Sequence, residues 1–196
     1  MSKGKMTTRM LVTMALLAAI EVVLARFIVP MPNPTMRFSI EAVPIIVAGF
    51  LYGPVAGGLV GVVGDAVGCL FSGYGYNPIF AVPPLLIGVC AGLLRFLLYR
   101  KVNYWRILAA FLPAVVVGSV LWQSYWLAFF YGTHSFVWFL GSRSVQFAIT
   151  SLVNAAVILG LFKSRVFDAL RLWPPARSKD AEAAPSVPDG HKAVQP

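Results

Sequence analysis

Six apolar stretches, Met10–Val29, Ile40–Tyr52, Val55–Phe71, Phe80–Leu98, Ile107–Tyr131 and Ser144–Phe162, occupy most of this 196-residue chain and decide which solvent it folds in. A helix needs roughly 20 apolar residues, range about 17–25, to cross a hydrocarbon core of ~30 Å. Five of the six runs fall in that range. The exception, Ile40–Tyr52, rises only about 20 Å at ~1.5 Å per residue, so it crosses only if tilted less than its neighbours, extended at its ends, or sunk in protein. With 59% hydrophobic and 12% charged residues and a mean hydropathy of +0.79, the chain carries more apolar material than one soluble core of this size hides. The expected fold class is an all-α integral membrane bundle of six transmembrane helices.

A net charge of +9 raises the question of nucleic acid, which the positions of the cations answer. If the N-terminus is cytoplasmic, Lys3, Lys5, Arg9, Arg95, Arg100, Lys101, Arg106, Lys163, Arg165, Arg171, Arg177, Lys179 and Lys192 lie inside, and Arg26, Arg37 and Arg143 lie outside. Positive charge collects on cytoplasmic loops, so thirteen against three predicts that both termini are cytoplasmic, in a multi-pass protein of the plasma membrane. Anionic lipid headgroups are the expected neighbours of these cations, and nucleic acid is not an expected partner. The basic start before Met10 looks like a signal peptide, but the apolar run continues past the usual ~7–15 residues and reads as an uncleaved first helix. Residues 1–173 form the expected transmembrane domain. The tail 174–196, "PPARSKDAEAAPSVPDGHKAVQP", lacks apolar periodicity and is expected to be disordered.

Chemistry in such a chain is sought among the polar residues that interrupt the apolar runs, because each is expensive in hydrocarbon unless it faces protein, water or a ligand. Arg26 and Arg37 flank the proline cluster Pro30, Pro32 and Pro34; they serve either as headgroup anchors or as partners of an anionic ligand. Ala15 and Ala19, four residues apart on the first helix, leave a face small enough for close helix approach, within the bundle or onto a partner. Glu21 and Asp65 are acids in mid-run. Gly57, Gly61, Gly64 and Gly68 make a smooth ridge, with Tyr76 in the loop that follows. Trp122, Gln123, Tyr125 and Trp126 gather at the outer end of the fifth run, as an interfacial belt or as one wall of a site for a flat heterocycle. In the sixth, Gln146 and Asn154 stand eight residues apart and return to nearly one face, with Ser151 between them and Arg143 just ahead. Cys69 and Cys90 have no metal-ligand or disulfide spacing. No GxxxxGK[ST], HExxH or GxSxG occurs, so the sequence supplies no catalytic residues, no metal site and no cofactor.

Taken with the Ala15/Ala19 pair and the small size, the segment "RFSIEAVPIIVAGFLYGPVAGGLVGVVGDAVG" resembles the substrate-binding S components of energy-coupling factor vitamin transporters, in their folate-specific branch. The resemblance runs from about Arg9 to Lys163. It implies capture of folate for ATP-driven uptake by a module of one membrane T component, on which the first-helix alanines dock, and two cytoplasmic ATPases. It further implies an outward pocket lined by helices one, five and six, to which Arg26 and Asn154 contribute. Either Trp122 or Trp126 takes the position of the family's stacking tryptophan. The loop "SGYGYNPIF" departs from the family. The expected ligand-binding residues are Arg26, Arg37, Gly68, Tyr76, Trp122, Gln123, Tyr125, Trp126, Arg143, Gln146 and Asn154. Two rivals compete: the same architecture serving another vitamin, such as thiamine or a pyrimidine precursor, and a small membrane enzyme using Glu21 and Asp65 as acid and base.

Overall fold

Prolines and asparagines start several of the helices. Pro54 opens α3 (Pro54–Ser72), where a missing N–H costs nothing. The side chain of Asn77 accepts from the Ile79 amide at 3.1 Å and starts a 3₁₀ turn, Pro78–Ala81, that leads into α4 (Val82–Leu93) with proline in its first turn. Asn103 accepts from the Tyr104 amide at 2.9 Å at the start of α6 (Tyr104–Ala114). The other helices are α1 (Thr8–Val23), α2 (Ala42–Tyr52), α5 (Phe96–Arg100), α7 (Gln123–Tyr131) and α8 (Phe136–Lys163). This computed structural model describes residues 8–25, 40–72, 76–100, 102–131 and 136–164, and every regular element among them is helical.

Three of these helical rods are long and apolar enough to cross a membrane: Pro54–Phe71, Tyr104–Phe130 and Phe136–Lys163. The apolar helices Ala42–Tyr52 and Pro78–Leu93 are shorter. α2, whose length was the difficulty in the sequence, is buried in protein from Val43 through Leu51. It packs on α1, α3, α4 and α8, so none of its nine central residues needs to meet lipid. Two runs are divided differently from the expectation. Phe80–Leu98 breaks at Leu94–Arg95 into α4 and α5. The sixth helix begins at Phe136 rather than Ser144, which carries Arg143 into its interior.

The tightest contact is between α3 and α4. A side-chain carbon on Gly57 would overlap the Gly88 carbonyl, and one on Gly88 would overlap the backbone of Gly57, so only glycine allows this approach. One helical turn further along, Gly61 meets the backbone of Pro84 in the same way. Around this seam the core is aliphatic and aromatic, with Ile45, Ile46, Phe50, Ile107, Phe111 and Ile158 all at 2% exposure or less.

The fifth rod is not a uniform α-helix. Pro113 has no N–H to give, and from Val115 to Trp122 the chain runs as a π-helix, with the Gln123 amide donating to the Gly118 carbonyl five residues back. α6, this segment and α7 together form one continuous rod.

The seam generates a measurable contrast. Gly88→Ala should destabilise the protein by about 1–3 kcal/mol through overpacking. Gly141→Ala, at a site with nothing within 4 Å, should be neutral or stabilising by about 0.5–1 kcal/mol. Thermal unfolding in detergent compares the two, and equal midpoints would show that the seam is not close-packed.

Candidate functional site

Just beyond Gly61 and Pro84 the helices part around a cavity of about 290 Å³. It lies at the end of the bundle that gathers the C-terminal ends of α1 and α3 and the N-terminal ends of α2, α4 and α8. Ligand cavities usually measure ~300–1,000 Å³ and set a few polar groups in apolar walls. Here Ile45, Ile87, Val115 and Phe147 supply apolar surface, and most of the polar groups come from three walls.

α8 makes the first wall. Arg143, Gln146, Phe147, Thr150, Ser151 and Asn154 recur at spacings of three and four and so share one face. That stripe descends about 16 Å at ~1.5 Å per residue. Arg143, Gln146, Ser151 and Asn154 are buried to between 3% and 7% exposure. The Arg143 guanidinium donates from Nη1 to the Ser119 carbonyl at 3.4 Å and lies over the Phe147 ring, 5.6 Å from its centre. Asn154 Oδ1 is buried and has no hydrogen-bond partner among the described residues. An amide oxygen left in that state costs about 1–3 kcal/mol.

The second wall is the π-helical segment with the start of α7, contributing Val115, Ser119 and Gln123. α1 and α3 make the third, with Glu21, Ala25, Gly64, Asp65 and Cys69. Glu21 is 4% exposed, and its carboxylate rests against Gly64 so closely that a side-chain carbon there would overlap it. Glu41 and Asn77 complete the polar lining from the starts of α2 and α4. Among the described residues no group of three or more His, Cys, Asp or Glu side chains is arranged to hold a metal ion.

Of the expected ligand residues, the structure brings Gln123, Arg143, Gln146 and Asn154 together around this cavity. Arg26 and Arg37 lie outside the described residues, as does the tail 174–196. Gly68 is buried in α3, but the cavity residues of that helix are Gly64, Asp65 and Cys69. Tyr76, Trp122 and Tyr125 are 44%, 39% and 57% exposed and stand off the wall. Trp122 donates its indole N–H to the Ile79 carbonyl at 3.0 Å. Trp126 stacks on Phe130 at 5.7 Å and meets Trp122 edge-on at 5.9 Å; its own indole N–H is buried without a partner among the described residues. Trp122, Tyr125, Trp126, Phe129 and Phe130 form one cluster, joined to the wall through the Phe80–Phe130 contact at 6.3 Å.

Sequence reasoning passed over Ser119, Glu41 and Asn77 as site residues. Ser119 carried a signal that went unused, a hydroxyl in an apolar run four residues before Gln123. Glu21 and Asp65 were visible as acids in apolar runs, and they belong to the wall of the cavity. Away from the cavity, Ala15 and Ala19 are exposed on α1, on a surface that includes Leu11, Val12, Leu16 and Ile20 at 40–62% exposure.

Comparisons with known proteins agree with this geometry. Residues 9–162 match the family model described as ECF transporter, substrate-specific component. The chain is 29% identical to the folate transporter FolT of Clostridium novyi (strain NT) over 154 residues, covering 78% of this chain and 87% of that protein. Among solved structures it is similar to FolT bound with folic acid, with a TM-score of 0.67 at 26% identity over 79% of this chain and 93% of the other. It shares the fold of an S component for biotin, with a TM-score of 0.63 at 17% identity over 83% and 95% of the two chains.

A buried acceptor without a partner is retained at a cost to stability, which makes Asn154 a test of the cavity. Asn154→Leu should leave the unliganded protein as stable as the parent or more stable by about 1–3 kcal/mol, while ligand affinity falls. Thermal melts with and without ligand check both halves, and a clear loss of unliganded stability would show that the amide serves the fold instead.

Proposed function

This chain belongs to the substrate-specific components of ECF transporters, since their family model spans residues 9–162, and from that premise we propose that it captures folate from outside the cell for ATP-driven uptake. It is a transport subunit and not an enzyme. Glu21 and Asp65, once candidates for acid and base, line the binding cavity.

The observation that carries the folate reading is the polar stripe of α8, buried and turned into a ligand-sized cavity, with an unsatisfied acceptor at Asn154. Folate has a planar pterin rich in donors and acceptors and a glutamate tail with two carboxylates. The amides of Gln146 and Asn154 suit the ring. Arg143 suits the anion, by a charge-assisted hydrogen bond of the stronger kind. Arg26 and Arg37 are proposed as further partners of the tail. The similarity to a FolT structure bound with folic acid supports the same choice over thiamine or a pyrimidine precursor.

The finer arrangement follows from the charge pattern. We place six spans in the plasma membrane with both termini cytoplasmic, so that the cavity opens outward. The exposed Ala15/Ala19 face of α1 is the proposed docking surface for a T component that carries two ATPase subunits, small residues allowing the closest helix approach.

The purified chain alone, without ATP, should bind folic acid saturably in detergent; binding of thiamine or biotin in its place would assign another vitamin. Ala15→Trp with Ala19→Trp should abolish capture by the T component and leave folic acid affinity within threefold. Normal capture by the double variant would rule out that face of α1 as the docking surface.

A further inference from the structure

The folate reading gives no part to the turn that leads into α4. Asn77, at its start, lines the cavity and is half-buried. Its side-chain Oδ1 accepts from the Ile79 amide at 3.1 Å, and its backbone carbonyl accepts from the Phe80 amide at 3.0 Å. A backbone N–H requires an acceptor, which fixes the side-chain amide with its oxygen toward Ile79 and its NH2 group turned away. That NH2 group has no partner among the described residues. With its oxygen committed to the turn, the side chain has only donors left for a ligand. The loop that supplies Asn77 is the one whose sequence, "SGYGYNPIF", is this chain's own departure from its family.

The turn is held from the fifth rod. Trp122 donates its indole N–H to the Ile79 carbonyl at 3.0 Å, and the Phe80 ring, on the cavity wall, meets Phe130 at 6.3 Å. Aromatic side chains that stand off the wall thereby fix a residue that lines it. Register sets the height of that residue. Gly61 meets Pro84 where the seam ends, and Asn77 lies seven residues before Pro84, so it stands roughly 10 Å from the seam at ~1.5 Å per residue. On α8, Arg143 lies eleven residues before Asn154 and is displaced toward the same end of the bundle.

A ligand whose ring lies against Gln146 and Asn154 sends its tail toward the end where Arg143 and Asn77 stand. We propose that Asn77 donates a hydrogen bond to the carboxylate tail of the ligand, as a neutral donor that acts with Arg143, and that Trp122 is the positioning residue that holds the turn for it. The assignment rests on the folate reading of the cavity and adds to it a determinant for the glutamate end. Aspartate separates this role from plain capping. It caps a turn as well as asparagine does, so a residue that only capped would be replaced without effect on binding. A donor would be lost, and a like charge would meet the tail.

Two probes test it on the full chain in detergent: folic acid, and pteroic acid, which keeps the ring and lacks the glutamate. Asn77→Asp should weaken folic acid binding by at least about tenfold, the scale of one charge-assisted hydrogen bond, and should weaken pteroic acid binding distinctly less. Trp122→Phe, which keeps a ring and removes the indole donor, should weaken folic acid binding more than pteroic acid binding, and should add nothing on top of Asn77→Asp. A loss under tenfold for folic acid in folded Asn77→Asp overturns the assignment. So do equal losses for the two ligands, which would put Asn77 against the ring. Additive effects of the two substitutions overturn the positioning role of Trp122. Where Asn77→Asp does not fold, the parent protein still decides: if it binds pteroic acid as tightly as folic acid, no donor serves the glutamate and the assignment falls. In each of those cases the parent binds folic acid, whereas failure of the folate reading itself shows as a parent that binds neither compound.

Discussion

α3 and α4 touch backbone to backbone at Gly57 and Gly88 and again at Gly61 and Pro84, and the rest of the bundle is arranged around that seam. Without a hydrophobic drive between helices in lipid, association depends on how closely they pack. The seam holds one end of the bundle shut and anchors α2 as an all-buried plug against α3 and α4. Past Gly61 the sequence changes character: Gly64 receives a carboxylate instead of a helix backbone, and Asp65 follows it. The cavity begins where close packing ends, so the glycines that bring the helices together also set where its floor lies.

Much of this architecture was legible in the sequence because hydrocarbon permits few solutions. Backbone polar groups must be satisfied within each segment, which made long apolar runs helices, and polar side chains must turn inward, which put Gln146 and Asn154 on one interior stripe. The shortness of Ile40–Tyr52 foretold burial as one of its outcomes. What could not be read was anything that depends on the phase of a helix after its pitch changes. Leu24 and Ala25 are already π-helical at the end of α1, and Val115–Trp122 is π-helical throughout. Trp122, Gln123 and Tyr125 were grouped by their nearness in the sequence, as an interfacial belt or as one wall of a site, and of the three only Gln123 lines the cavity. Arg143 was misplaced for a different reason. A cation at the edge of an apolar run looks like a terminus, but Phe136–Ser142 ahead of it is itself helical, and the arginine is 7% exposed inside α8.

The electrostatics of the cavity follow from which helices end there. Its described lining holds Glu21, Glu41 and Asp65 against Arg143. Such groups are tolerated in a low-dielectric site only where partners or ligand return the solvation that water would have given. Arg143 has such partners within the protein, in the Ser119 carbonyl and the Phe147 ring.

Changes of chain length in membrane bundles are ordinarily confined to loops, yet the fifth rod carries within its span a stretch where a single residue can be lost. Removing one residue between Val115 and Trp122 would let the wide turns relax toward α-helical pitch and keep the backbone hydrogen bonds satisfied, and because each remaining residue then turns the chain further, the rods on either side would stay close to their present orientation. Ser119 lies on that stretch and Gln123 just after it, so relatives of this chain that are one residue shorter here would change the side chains this segment offers to the cavity while α6 and α7 keep their places.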